Sequence, residues 1–380
     1  MTTKFILGLI INPIAGMGGS VGLKGTDGKE ILQKAIQLGS EPTAADRARK
    51  FLNQLRSINE KIKFLTSPKF MGEYILEDYE FEFEIIRDPI FENYENIYET
   101  SAEHTKKVAN ILLNRDKVDL IVFVGGDGTA RDIQDIIDLK IPCLGIPAGV
   151  KIYSSVFALT PQKTASLVIQ FLWDEIPLKE REVVDINEEK YREGSLESKS
   201  YGYLLTPFFP EYSQFSKLSS PDSDLNNQDR IAERIIKNLK EDIIYLLGPG
   251  TTVKAITDKL NLNKSILGVD VLLNRKIIAL DVNEQEILDI IKKNDKFKII
   301  VSPIGRQGFI FGRGNLQISS EILKKISLKD IIIIATKYKL HNIPQQTLRI
   351  DTRDSKTDKR LRGLYKVITD YDEIKICEVE

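Results

Sequence analysis

The sequence predicts an α/β fold: an N-terminal domain built on a parallel sheet covered by helices, then a second, largely β domain. Two observations predict it. Over roughly the first 160 residues short apolar runs alternate with helical patterns, which is how strand–helix–strand units read. The two most glycine-rich turns there directly follow apolar runs, after Ile11 and after Val124. Parallel sheets bind ligands at such strand ends.

Taken in order, Ile6–Ile11, Lys63–Thr66, Phe81–Ile86, Leu120–Val124 and Pro142–Ile146 read as strands. Between them Gly28–Leu38, Ala44–Arg56, Phe70–Glu77 and Ala102–Asn114 carry helical patterns, as apolar residues recurring every three or four positions do. Glu182–Asn187 and Tyr201–Thr206 are further strands. Ser213–Arg230, rich in Ser, Asp, Asn and Gln, reads as an exposed connection. Strands follow at Ile243–Leu247, Ile266–Leu272, Lys276–Asp281, Lys298–Val301 and Ile331–Thr336, with a helix over Thr251–Leu260. We expect one domain over residues 1–154 and a second over 155–335. The segment 336–380, with strand signals at Leu348–Ile350 and Tyr365–Thr369, is expected to return to the first domain.

The chain has 380 residues, enough for two cores. Its net charge of −1 provides no global field for nucleic acid or an anionic membrane, so neither is an expected partner. No apolar run approaches a transmembrane span. Phe5–Ile11 is too short for a signal-peptide core and runs straight into Asn12-Pro13, so the expected compartment is cytoplasmic. A homo-oligomer is expected. Two cysteines, Cys143 and Cys377, and two histidines, His104 and His341, leave little room for a disulfide framework, a zinc site or a His-based triad. The chemistry then falls to carboxylates, lysines, arginines and backbone amides. His104 reads as an ordinary helix residue.

Ile121–Thr129 is the most informative stretch: an apolar run ending in Gly125-Gly126-Asp127-Gly128-Thr129. Ala130, Ile133, Ile136 and Ile137 follow at helical spacing. Glycines let backbone amides approach a ligand unobstructed, and amides at a helix start attract phosphate. Thr129 either caps that helix or donates to a phosphate oxygen. Asp127 is the candidate base, a carboxylate that accepts a hydroxyl proton during phosphoryl transfer. Gly125, Gly126, Gly128 and Thr129 are the candidate phosphate contacts.

Asn12–Gly19, Asn-Pro-Ile-Ala-Gly-Met-Gly-Gly, also follows a strand, which makes Asn12 and Gly16 candidate nucleotide contacts. It lacks the spacing of the dinucleotide fingerprint, and no P-loop occurs in the chain. Lys151, closing the Gly149-Val150-Lys151 turn, either reaches a phosphate or faces solvent. In the second domain Thr251 and Thr252 follow Gly248-Pro249-Gly250 and either cap a helix or bind an anion there. Asp270, inside an apolar run, needs a partner; it orients a ribose hydroxyl or forms a salt bridge. Ser302–Asn315 holds Gly305, Gly308, Gly312 and Gly314, either backbone close to a ligand or an irregular hairpin.

On these residues the sequence resembles the superfamily of NAD kinases, diacylglycerol kinases and sphingosine kinases, which share the Gly-Gly-Asp-Gly-Thr element. Asn12–Gly16 is similar to the Asn-Pro-x-Ser/Ala-Gly element of that group. Gly145–Gly149, Gly-Ile-Pro-Ala-Gly, is similar to the Ile-Pro-x-Gly element of its lipid-kinase branch. Ser302–Gly308, Ser-Pro-Ile-Gly-Arg-Gln-Gly, resembles a variant of the NAD-kinase Thr-Pro-Thr-Gly-Ser-Thr-Ala stretch. Within the superfamily the sequence most resembles the prokaryotic ATP-NAD kinase or AcoX-like proteins, which also carry stretches like Val21–Gly28. The resemblance implies an α/β first domain, a largely β second domain, and ATP or polyphosphate as donor with a divalent metal, Mg2+. It implies NAD as leading acceptor, and it makes Gly305, Gln307 and Gly308 acceptor contacts. Gln307 and Gly308 depart from the NAD-kinase Thr-Ala, and no clear Asn-Glu pair of the NAD-kinase kind is present. A kinase for a lipid, nucleoside or small polyol, or a nucleotide-sensing binder without turnover, therefore stays open.

Overall fold

The computed structural model describes residues 4–19, 21–23, 29–92, 94–149, 152–186, 198–210, 212–213, 222–294 and 296–380. The chain divides into two compact units, Met1–Met17 with Gly25–Ser216, and Gly18–Lys24 with Lys217–Glu380.

The first unit is a five-stranded parallel sheet formed by β1 (Phe5–Ile11), β2 (Ile62–Thr66), β3 (Glu82–Ile85), β4 (Leu120–Gly125) and β5 (Cys143–Pro147), in the order β3-β2-β1-β4-β5. Its helices are α1 (Lys29–Gln37), α2 (Ala44–Leu55), α3 (Glu73–Leu76), α4 (Ala102–Leu113), α5 (Asp127–Ile137) and α6 (Pro161–Leu172). Strands buried on both faces read as unbroken apolar runs, and successive side chains point to opposite faces. Leu120, Val122 and Val124 of β4 thus join a core with α2 and α6. Ile121 and Phe123 join another with α4 and α5. β1 has the next strand in sequence on one side and β4 on the other. This reversal makes the carboxyl ends of β1 and β4 the topological switch point, where open parallel sheets bind their ligands.

The first unit does not stop near residue 154. β6 (Leu178–Ile186) and β7 (Ser198–Pro207) form an antiparallel hairpin, and Val183 and Leu204 are buried in the same core as Ile133 and Ile137 of α5. Apolar burial therefore holds the hairpin in this unit.

The second unit carries a seven-stranded mixed sheet. Its elements are α7 (Asp222–Asn238), β8 (Ile244–Leu247), α8 (Thr251–Lys259), β9 (Asp270–Leu273), β10 (Lys276–Ala279), α9 (Glu284–Lys292), β11 (Phe297–Val301) and β12 (Phe309–Phe311). There follow α10 (Ser320–Lys324), β13 (Ile331–Ile334), α11 (Lys337–His341), β14 (Arg349–Ile350), α12 (Ser355–Leu361), β15 (Gly363–Ile368) and β16 (Ile374–Val379). The order is β10-β9-β8-β11-β13-β15-β16, with β8, β11, β13 and β15 parallel and the flanking pairs antiparallel; β12 and β14 pair separately.

Two expectations are corrected here. Residues 336–380 do not return to the first unit. β15 pairs with β13 and β16 closes the sheet edge, because Leu361, Val367, Cys377 and Val379 are buried in the second unit's core. Much of the polar stretch Ser213–Arg230 is helical from Asp222 onward, while residues 214–221 lie outside the described residues. Its polarity hid an apolar stripe: Ile231, Ala232 and Ile235 are buried, and the buried Gln228 donates from Nε2 to Asp224 Oδ2 at 3.0 Å one turn earlier.

Candidate active site

Three loops meet at the switch point of the first unit. After β1, the N–H of Asn12 donates to the carbonyl of Val124 at 3.0 Å, and its Nδ2 donates to Thr129 Oγ1 at 3.0 Å. After β5, the N–H groups of Ala148 and Gly149 donate to the carbonyl of Gly125 at 2.9 and 3.1 Å. The glycines allow this closeness. A Cβ on Gly16, where φ is +88°, would lie 2.4 Å from the Ala148 carbonyl oxygen. One on Gly125 would lie 2.4 Å from Thr129 Oγ1. Gly126 stands against Gly149, a Cβ on the former falling 3.4 Å from the latter's Cα. Asn12, Gly16, Gly125, Gly126 and Thr129 are thus brought together, with Gly128 in the first turn of α5. Lys151 lies outside the described residues, as does most of the Lys24–Gly28 stretch.

Helix α5 starts at Asp127 after an extended Gly126, which has no side chain to cap it. A helix start leaves its first N–H groups without intrahelical partners, and these favour an anion. Asp127 itself is 6% exposed. Its Oδ2 accepts from the Tyr153 N–H at 2.7 Å and its Oδ1 from the Ser154 N–H at 2.9 Å. Burial pushes this carboxyl from the ordinary 3.8 up to about 7; the hydroxyl and N–H of Ser154 and the N–H of Tyr153 pull against that rise, and the charge of Asp185 adds to it. A buried carboxyl with that titration exchanges a proton near neutral pH, as a general base must. A carboxylate offers about four lone-pair sites, so two amides leave it able to accept a further hydrogen bond.

The second-unit candidates separate into three groups. Thr251 and Thr252 open α8 after Gly250, which has φ +107°. Thr252 is fully buried, and its Oγ1 accepts from Lys339 Nζ at 3.0 Å, as Ser302 Oγ does at 3.0 Å. Lys339 thereby ties together the carboxyl ends of β8 and β11. Sequence reasoning missed it, since nothing local distinguishes it from a solvent-facing helix lysine. Gly305, with φ +61°, has open space where a side chain would stand, with nothing within 4 Å. Gln307 and Gly308 are engaged by the protein itself. Gln307 Oε1 accepts from Arg313 Nη1 at 2.9 Å and its carbonyl from Arg349 Nη1 at 2.8 Å. A Cβ on Gly308 would come within 2.9 Å of Ile343 Cγ2 and the Thr347 carbonyl oxygen.

Asp270 resolves toward its structural alternative. It pairs with Lys264 at 3.2 Å, both side chains 0% exposed. It also accepts from the Ser265 N–H at 2.9 Å, the Ser265 hydroxyl at 2.7 Å and the Asp281 N–H at 2.7 Å. Burial pushes the Lys264 ammonium below its usual range while Asp270 opposes that. With both oxygens engaged and no exposed surface, Asp270 closes a loop and does not face a ligand. His104 holds the start of α4, its Nδ1 accepting from the Ser101 N–H at 3.1 Å.

Among the described residues no group of three or more His, Cys, Asp or Glu side chains forms a metal cage, and no helix is long and apolar enough to cross a membrane.

Comparison with known proteins adds independent findings. The model of the ATP-NAD kinase N-terminal domain matches residues 7–176, and that of the ATP-NAD kinase C-terminal domain matches residues 240–379. No curated protein matches the sequence. Among solved structures, a putative diacylglycerol kinase from Bacillus anthracis str. Sterne is 15% identical over 49% of this chain, with a TM-score of 0.26. The match spans about half of that protein, 47%, and at that TM-score it carries no weight for the fold.

Proposed function

The chain belongs to the ATP-NAD kinase family, and from that premise we propose that it transfers a phosphoryl group from ATP or polyphosphate to a hydroxyl. The acceptor we assign is the 2′-hydroxyl of the adenosine ribose of NAD, giving NADP. The observation that carries this reading is Asp127: a buried carboxyl titrating at about 7, at the start of a helix, among strand-end glycine loops.

In this reading the amides of Gly125–Thr129 and of the Asn12–Gly16 turn receive the donor phosphates, while Asn12 orients the hydroxyl of Thr129 through its 3.0 Å bond. Asp127, as carboxylate, accepts the proton of the acceptor hydroxyl as its oxygen bonds to the γ-phosphorus and the bond to the leaving ADP breaks. The backbone N–H groups of Tyr153 and Ser154 keep the carboxylate from turning away. A Mg2+ ion, when bound with ATP, neutralises developing phosphate charge. No cage of protein carboxylates surrounds the loops, which suits an ion carried largely on phosphate oxygens and water. Gly305, facing open space, and the Thr251–Thr252 helix start are the acceptor contacts we favour in the second unit.

The test is incubation of pure protein with Mg2+, ATP and, separately, NAD, a diacylglycerol, a nucleoside and a small polyol, with ADP release followed. The proposal predicts release dependent on NAD. Release with another acceptor and none with NAD would reassign the substrate, and none with any acceptor would favour a binder without turnover.

A further inference from the structure

We propose that Ser154 is a positioning residue, through which strand β6 fixes the carboxylate of Asp127. The inference rests on reading Asp127 as the base. Its ground is a closed ring of contacts within the first unit. Ser154 is fully buried. Its hydroxyl donates to the carbonyl of Val184 at 2.8 Å and accepts from the Val184 N–H at 3.0 Å. On this edge of β6, opposite the one paired with β7, a single side chain thus satisfies both backbone groups that another strand would have taken. Its own main-chain N–H is thereby directed to Asp127 Oδ1, as that of Tyr153 is to Oδ2. The next residue continues the seam: the Ser155 N–H and hydroxyl both donate to the Glu182 carbonyl, at 2.9 and 3.1 Å.

The ring closes through the helix that carries Asp127. One turn along α5, Arg131 Nη1 donates to Asp185 Oδ2 at 2.8 Å, the residue of β6 directly after Val184. Further along, Gly202 of β7 makes room for α5, since a Cβ there would fall 2.4 Å from Gln134 Nε2. From Asp127 the path runs along α5 to Arg131, to Asp185, to Val184, to Ser154 and back to Asp127. A side chain needed only to fill a strand edge would have no reason to close on the carboxylate.

The charges around this ring come from several elements. Asp185 lies on β6, and Lys199 is its register partner on β7. Arg131 and Asp132 lie on α5, and Lys106 of α4 is 3.9 Å from Asp132. The Tyr153 phenol, itself pushed upward by burial and by Asp127, flanks the carboxyl. Burial raises the titration of Asp127, and the Ser154 groups are the first of those that lower it. Loosening them shifts the carboxyl further toward its neutral form.

The test uses the full chain with Ser154→Ala, and with Ser155→Ala as a neighbour that loses a hydroxyl without touching Asp127. Carboxyl-carbon NMR, assigned by the signal missing from Asp127→Asn, reads the titration whether or not turnover occurs. In Ser154→Ala its midpoint is expected to rise by about one pH unit, and kcat near neutral pH to fall about tenfold with little change in the KM for ATP. Ser155→Ala is expected to leave the midpoint in place. A folded Ser154→Ala protein with an unmoved midpoint overturns the positioning role. A moved midpoint with unchanged kcat leaves positioning standing and removes Asp127 as the base. Should Ser154→Ala fail to fold, Asp185→Asn opens the ring elsewhere and removes a negative neighbour; the expected midpoint falls, and no change there overturns the ring.

Discussion

Replacing Asp127 by Asn separates the charge of this residue from its shape. In the folded chain burial moves the carboxyl from the ordinary 3.8 to about 7, while the unfolded chain keeps the ordinary value. A carboxyl whose folded pKa is raised favours folding while it is protonated. That contribution starts to fade as pH climbs past the unfolded value and is lost once pH passes the folded one. At about 1.4 kcal/mol per pKa unit, the loss between about pH 4 and about pH 8 is roughly 3–4 kcal/mol. Asn has no charge to bury and shows no such fall. It has one carbonyl oxygen for two amide donors, the N–H groups of Tyr153 and Ser154, so its NH2 faces an N–H at a cost of about 1–3 kcal/mol at any pH. Relative to the parent, Asp127→Asn should be the less stable protein at the acid end and gain steadily through pH 4–7, reaching parity or better at about pH 8. Turnover should fall by about 10²–10⁴-fold with nucleotide affinity nearly unchanged. The assay is urea unfolding of both proteins across this range, beside steady-state kinetics. A stability difference independent of pH would refute the buried, near-neutral carboxyl, and near-normal turnover would leave Asp127 a structural residue.

Gly305→Ala, at φ +61° with nothing within 4 Å, should cost only about 1 kcal/mol in stability while raising the KM for the acceptor; an unchanged KM would remove Gly305 from the acceptor contacts. Gly308→Val, driven into Ile343 and the Thr347 carbonyl, should unfold the second unit at lower urea, and a fully stable variant would refute that packing. Lys264→Met leaves Asp270 charged and fully buried, which should cost about 3–5 kcal/mol in urea unfolding; a loss below about 1 kcal/mol would mean that the pair is better solvated than its 0% exposure implies.

The first unit was readable because its strands are buried on both faces and so appear as unbroken apolar runs. Its loops announce themselves through glycines that no side chain could replace, such as Gly16 against Ala148 and Gly125 against Thr129. Even Asp127 could be picked out by its neighbours in sequence. What could not be read depends on partners distant in the chain. Asp270 allowed a ribose or an ion pair until Lys264 and Asp281 N–H were seen to take both oxygens. Ser154 is an unremarked serine beside another until Val184, thirty residues on, closes around its hydroxyl. Lys339 gains meaning only where β8 and β11 bring Thr252 and Ser302 side by side. The domain boundary failed for the same reason, since the β6–β7 hairpin is assigned by what Val183 and Leu204 pack against, and the tail by the burial of Val367 and Val379.

The most direct measurement of the central claim is phosphorus NMR of NAD incubated with the protein, ATP and Mg2+. The account predicts a new 2′-phosphate resonance growing in step with ADP, and its loss in Asp127→Asn. ADP formed without any phosphorylated NAD, or an undiminished 2′-phosphate signal in the Asp127→Asn protein, would contradict it.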